Sequence, residues 1–342
     1  MRHGIDRGLL GKLAAVGLLA VLVLVPKMIT NQYSLHILIA SGLAVILASS
    51  FNVVTGFTGQ PVFGMAAFYA VGAYTSALLA TRLHWSFWAS LPVAGLAAGV
   101  TGLVIGLPSL RLKKFFLAIT TIAFGEVVRL LLLNWVPVTR GPMGITGIPA
   151  PTPIRIPVVG PIMFNSKVAY YYLTLTLVIV VVLSIRSIIN SPVGRAFIAT
   201  RDDEDAAQTC GIDTRYYKML SFTLAATFSG LAGALYAHYF RYISPNSFGF
   251  TESAMAVTTA LVGGLGTIAG PIVGGLLLTA IPEYLRALSD YRLIIYGGTL
   301  LLTLAFWPHG IVGGLSGIWD KLSERAKPVA DPAKIRSGGR DS

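Results

Sequence analysis

Charge is scarce in this sequence of 342 residues: 12% are Asp, Glu, Lys or Arg, against about 25% in a soluble domain of average make-up. Cysteine is scarcer still. A single Cys210 excludes an intrachain disulfide framework. No stretch is both long and polar enough to fold as a soluble catalytic domain. The sequence shows no nucleophile–base set and no cluster at metal-ligand spacing. It also has no phosphate loop: Gly264-x-Gly266 lacks the Gly-Lys-Ser/Thr ending, and no strand precedes it. These absences predict a chain that is not an enzyme, holds no cofactor or metal, and cannot itself hydrolyse ATP.

What is present is apolar. Hydrophobic residues make up 54% of the chain, and the mean hydropathy is +0.72. The apolar residues come in runs such as Leu13–Val25 and Leu173–Ile185. A membrane span needs about 20 mostly apolar residues. The runs predict spans near 10–26, 33–54, 61–81, 86–108, 115–136, 168–188, 217–239 and 291–308. The first, flanked by Arg2, Arg7 and Lys12, is followed by Pro26-Lys27 rather than a small-residue cleavage site, so it reads as an uncleaved span.

The net charge of +12 reflects basic residues beside spans rather than a nucleic-acid surface, since no basic helix or aromatic platform accompanies it. Lys and Arg concentrate in the N-terminal tail, the 109–114 loop, the 186–218 loop and the C-terminal tail. Positive segments face the cytoplasm. That assignment closes only if the chain crosses an even number of times between 240 and the 282–292 loop. Residues 251–285 would span about 52 Å as one helix, too long for one crossing and short for two. Their centre, Gly263-Gly264-Leu265-Gly266-Thr267-Ile268-Ala269-Gly270-Pro271, breaks a helix. Two shortened or re-entrant helices meeting there give an all-α polytopic membrane protein of about ten segments, both termini cytoplasmic. On this topology 17 of the 26 basic residues lie inside and eight outside, with Arg129 within a span. Residues 1–316 form the membrane domain, and 317–342 have a disordered composition. The proline-rich 137–167 segment reads as an external, extended, stiff lid.

Three features could carry function. The first is a polar island in the cytoplasmic loop at about 190–216, where Asp202, Asp203, Glu204 and Asp205 follow one another. Asp202 or Asp203 can cap a helix N-terminus, the other acids complement its dipole, and Gly211 suits the C′ position. The result is a helix of roughly two turns outside the bilayer, either a docking element or a solvated loop helix. The second is the break itself, Gly263, Gly264, Gly266, Gly270 and Pro271, which either packs helices closely or lines a pathway. Gly95–Gly99 and Gly102–Gly106 have the same small-residue spacing and read as packing. The third is Glu126 and Arg129, three apart within one span and so on one face. They form either a structural ion pair or a polar feature of the pathway. His238 and His309 read as local hydrogen-bonding residues.

Asp205-Ala206-Ala207-x-x-x-Gly211 resembles the EAA…G loop of ABC-importer permeases, with Asp205 in place of the usual Glu. Phe51-Asn52-Val53-Val54-Thr55-Gly56-Phe57-Thr58-Gly59-Gln60, Gly64–Phe68 and Gly72-Ala73-Tyr74 are similar to the early spans of the LivM-type high-affinity branched-chain amino acid permeases. Phe116–Glu126, Gly141–Gly147, Ala234–His238, Ile243-Ser244-Pro245, Gly263–Thr267 and Pro308–Ile311 fit as well, so the resemblance runs from about 40 to 315. It implies a permease subunit in the bacterial inner membrane, with two ATPase subunits docking at 202–211, a second related permease and an external substrate-binding protein. It points to branched-chain amino acids, while related permeases carry other amino acids, amides or urea. An ion-driven secondary transporter would need more intramembrane acids than Glu126, and a non-transport scaffold would leave the island and the break unexplained.

Overall fold

A computed structural model describes residues 31–284, less 110, 111, 113, 157–159, 163 and 165, together with 24–26, 298, 301, 310, 311 and 313. All but 24–26 of the span expected at 10–26, all but 298 and 301 of that at 291–308, both chain ends and the 317–342 tail lie outside the described residues.

Ten helices carry the architecture of the described part: α1 (Gln32–Phe51), α2 (Met65–Arg82), α3 (Phe87–Ser109), α4 (Lys114–Asn134), α5 (Lys167–Ile189), α6 (Pro192–Asp202), α7 (Glu204–Thr209), α8 (Thr214–Phe240), α9 (Phe250–Gly263) and α10 (Ala269–Tyr284). Among the described residues five stretches are long and apolar enough to cross a membrane: 32–57, 87–108, 115–134, 167–189 and 214–240. Polar residues set the starts. Asn31 accepts from the Tyr33 amide, Ser166 from Ala169, Ser191 from Val193 and Asp213 from Tyr216. The expected span at 33–54 ends as a helix at Phe51 and continues as a π-helical turn over Asn52–Phe57. The span expected from 61 begins only at Met65, because Gly59, Pro61 and Gly64 keep the connecting backbone irregular.

Helix α8 is the centre of the bundle, packed on α3 and α2. In lipid, tails are as apolar as leucine, so close backbone approach rather than burial drives such packing. A Cβ at Gly72 would collide with the Gly230 carbonyl, and one at Gly233 with the Tyr69 carbonyl. Gly95, Gly99, Gly102 and Gly106 all face α8, against Leu231, Thr227, Ala226 and Phe222. That is the packing role their spacing suggested.

The loops sort to two ends. At one end Arg82 donates to the Pro137 and Val138 carbonyls, Lys167 to Gln32, and the Trp88 indole to Thr152. The segment expected to be a plain extended lid is instead built of short elements. A turn at Val136–Thr139 and a 3-10 turn at Gly141–Met143 precede two antiparallel pairings, Ile145–Thr146 with Tyr242–Ile243 and Ile154–Ile156 with Gly160–Ile162. Partners outside the segment override its proline content.

His238, fully buried, ties that segment to the bundle: Nδ1 lies 2.7 Å from the Pro149 carbonyl and Nε2 2.9 Å from Ser76 Oγ. A carbonyl only accepts, which puts a hydrogen on Nδ1 and leaves Nε2 for the serine hydroxyl. Replacing His238 with Ala removes both bonds; Ser76 keeps Ser90 at 2.9 Å, so what is lost is the tie to Pro149. Faster amide exchange across 145–148 is the expected result, and unchanged protection there would show that the tie carries no weight.

Candidate functional site

At the opposite end the chain leaves the bundle as α6 and α7. The polar island was expected to form one helix and instead forms the junction of two. Asp203 is extended (φ −153°, ψ 113°), and its carboxylate accepts from the Asp205 and Ala206 amides at 3.0 Å each. It therefore ends α6 and caps α7. Helix α7 closes at Gly211, whose φ of +82° is a left-handed position that glycine takes at little cost. Ile212 and Gly211 donate back to Ala207 and Gln208, satisfying the last carbonyls.

The acids then part company. Glu204 turns inward to the buried Lys218 and accepts from Thr214 at 3.4 Å. Gln208 donates to the same Thr214 at 2.8 Å. Ala207 is buried beneath them. These contacts fix α7 onto the start of α8. Asp202 pairs with its neighbour Arg201 at 2.9 Å. Asp205, Ala206 and Thr209 remain exposed.

Arg201 points the other way as well. Its Nη1 donates to the Gly56 carbonyl at 3.0 Å, and its aliphatic stem lies against Gly59, both in the irregular segment after α1. That segment in turn holds the break. Asn52, 1% exposed, donates from Nδ2 to the Thr267 carbonyl at 2.8 Å and accepts from the Gly266 amide at 2.8 Å. Both sides of one amide thus satisfy backbone groups that the break removes from helices α9 and α10. Gly266 sits at φ +72°, where a Cβ would meet the Arg201 guanidinium at 2.9 Å. A continuous polar path therefore runs from the exposed α6–α7 pair through Arg201, Gly56 and Asn52 to the break.

The two helices of the break are 14 and 16 residues long, about 21 and 24 Å. That is shorter than a ~30 Å hydrocarbon core. They form a hairpin in which Gly263 lies against Gly270 and Gly274 against Thr259, too tight for a Cβ at either glycine. Pro271 borders a cleft of only about 10 Å³ with Asn52 and Ile268. A larger cavity, of about 490 Å³, lies farther along α9, and none of Gly263, Gly264, Gly266, Gly270 or Pro271 lines it.

Glu126 and Arg129 pair on α4, and Arg129 also reaches Asn246 Oδ1 at 3.0 Å, in the turn just before α9. The pair so joins α4 to the end of the hairpin where α9 begins. The surrounding face of α4 is apolar and open: Phe115, Phe116, Ile119, Val127 and Leu131 are all at least half exposed. Among the described residues no group of three His, Cys, Asp or Glu side chains could hold a metal.

Sequence reasoning missed Asn52, Gly56 and Lys218 as working residues. The available signal was an amide within a long apolar run, and a lysine placed one helix after a run of acids.

Apolar helices long enough to cross a membrane, a hairpin of two short helices and a surface helix pair wired to that hairpin fit a polytopic membrane permease. Comparison with known proteins agrees. The family model described as the branched-chain amino acid transport system permease component matches residues 33–304. The chain is 36% identical over 318 residues to the high-affinity branched-chain amino acid transport system permease protein LivM of Escherichia coli K12, covering 88% of this chain and 75% of that one. A probable LivM from Methanocaldococcus jannaschii is 25% identical over 325 residues, 81% of this chain and 92% of its own. The E. coli permease protein LivH is 34% identical over 126 residues, 36% of this chain and 40% of its own. No solved structure gives a significant match. The chain belongs to the family of branched-chain amino acid transport permease components, and it is a multi-pass protein of the inner membrane rather than an enzyme.

Proposed function

We propose that this chain is one permease of an ATP-binding-cassette importer for branched-chain amino acids. Two ATPase subunits act on α6–α7, a second permease of related type completes the membrane part, and an external binding protein delivers the solute. The observation that carries the reading is the polar path from α7 to the break. A subunit without a phosphate loop must receive its energy from another chain, and this path leads from the exposed helix pair into the membrane hairpin. Within α7 the docking face is Asp205, Ala206 and Thr209, with Gly211 setting the exit of the chain. Asp202 and Asp203 shape the junction, while Glu204 and Ala207 anchor it. The names of the relatives support the substrate class. The permeases called LivM and LivH support a pair of related subunits. The charged pair on the open face of α4 supports a protein neighbour there, since a half-exposed carboxylate in a span is costly against lipid.

Asp205→Lys combined with Ala206→Arg tests the docking. Both side chains are exposed and stand apart from the Glu204–Lys218 tie, so the membrane fold should persist. The ATPase subunits should cease to co-purify and leucine uptake should fall to background. Co-purification at the unaltered ratio, with stimulated ATP hydrolysis, would remove α7 as the docking element.

A further inference from the structure

Of the five stretches long enough to cross a membrane, those at 87–108, 115–134 and 167–189 are the least buried, and their open faces differ. Helix α3 exposes Leu96, Val100, Val104 and Leu107 and has no charged residue. Helix α5 has none between Lys167 and Arg186. It exposes Val180, Leu183 and Thr176, whose hydroxyl bonds back to the Tyr172 carbonyl at 2.8 Å. Such faces suit lipid tails, which are as apolar as leucine.

Helix α4 is the barest, with only 17% of its apolar window buried, yet it carries charge. Its open face follows Phe116, Thr120, Ala123, Val127 and Leu130, the three-or-four spacing of one side of a helix. Glu126 stands on that side with 46% of its side chain exposed. At ~1.5 Å per residue it lies about 18 Å from Lys114 and about 12 Å from Asn134 along the axis, too far for its short side chain to reach either end. Arg129 neutralises the carboxylate, but Glu126 and Asn246 together engage only three of the five guanidinium N–H groups. Polar groups left over at this depth are costly against hydrocarbon.

We infer that this face of α4 is the seat of the second permease. This rests on the importer reading above and adds a surface to it. Depth selects the partner. The binding protein of that reading is external and the ATPases act at α6–α7, so of its subunits only another permease reaches Glu126. The partner's helix brings an acceptor to the remaining guanidinium N–H groups and a hydroxyl or amide donor to the open side of the carboxylate. Thr120 and Ala123 let its backbone come close. The pair is neutral as a whole, so it fixes the register of the two subunits more than it attracts them.

The test uses the full complex in native membranes. Val100, Val127 and Val180 are exposed alike, at 61%, 56% and 52%, one on each of the three faces. Each is replaced in turn by p-benzoylphenylalanine and irradiated. Position 127 should give an adduct with the second permease at least ten-fold above that from 100 or 180. Equal adducts from 100 or 180 would overturn the surface. So would an adduct at 127 only with lipid, with another copy of this chain or with another segment of the same chain. Glu126→Lys sets two cations on the face and should lower the second permease retained on the purified chain at least five-fold; Glu126→Gln should fall between. If Glu126→Lys fails to fold, the valine series decides on a chain whose ion pair is intact. If no related permease co-purifies with the unaltered chain, the importer reading fails and the surface with it. Co-purification with adducts confined to other faces removes the surface alone.

Discussion

Arg201→Ala is expected to leave the complex assembled and to lower leucine uptake at least ten-fold, with loss of the stimulation that the binding protein gives to ATP hydrolysis. The reasoning starts from geometry. The guanidinium ends α6 and makes contacts in two directions: to Asp202 on the outside at 2.9 Å and to the Gly56 carbonyl on the inside at 3.0 Å. Its planar fork allows both at once. On the docking proposed above, movement of α6–α7 by an ATPase would reach the irregular segment after α1 through one side chain. Alanine keeps α6 helical, since it is the best helix former, and removes only the link. The energetic loss in the resting fold is small, because the Arg201 side chain is partly exposed and its pairing with Asp202 is solvated. Transport should suffer far more than stability. Arg201→Lys is a graded control: it keeps the charge and the stem against Gly59 but has a single point of donation, so it should fall between alanine and the native residue. An alanine variant with unchanged leucine per ATP would show that coupling bypasses this contact.

The order of helices was legible because apolar runs and the caps beside them are local signals. The expected spans at 86–108 and 168–188 differ from α3 and α5 by a residue or so. The Glu126–Arg129 contact was legible for the same reason, since three positions on a helix fix the spacing. Its third member was not, because Asn246 lies 117 positions away. Asn52 was invisible on the same grounds: its two partners are 214 and 215 residues distant, and an amide in an apolar run carries no mark of them. The acidic run shows a subtler limit. Composition treats Asp202, Asp203, Glu204 and Asp205 alike. The fold assigns them an ion pair, a cap, an inward tie and an exposed face, according to where Arg201 and Lys218 fall. The single helix foreseen there failed because Asp203 competes with the helix for its own backbone amides. The 137–167 segment departed from its proline-based expectation because strand 242–243 and His238 supply partners that a local reading does not contain.

Asn52→Leu should give the largest change at the break. The side chain is almost fully buried and of similar length to leucine, so the substitution keeps the volume and deletes only the hydrogen bonds. It strands the Gly266 amide and the Thr267 carbonyl, both partly buried. An orphaned buried group costs about 1–3 kcal/mol, and each 1.4 kcal/mol is about tenfold in an equilibrium. Amide exchange at 264–268 should therefore quicken by roughly ten-fold or more, while the centre of α8 keeps its protection. Leucine uptake should fall with it, because the hairpin no longer follows the segment after α1. The decisive measurement combines this change with Arg201→Ala. If both residues lie on one path, the double variant transports no less than the worse single one, because a severed link cannot be cut twice. Independent losses that multiply would mean that Arg201 and Asn52 act separately, and that the contact from Gly56 to the break transmits nothing.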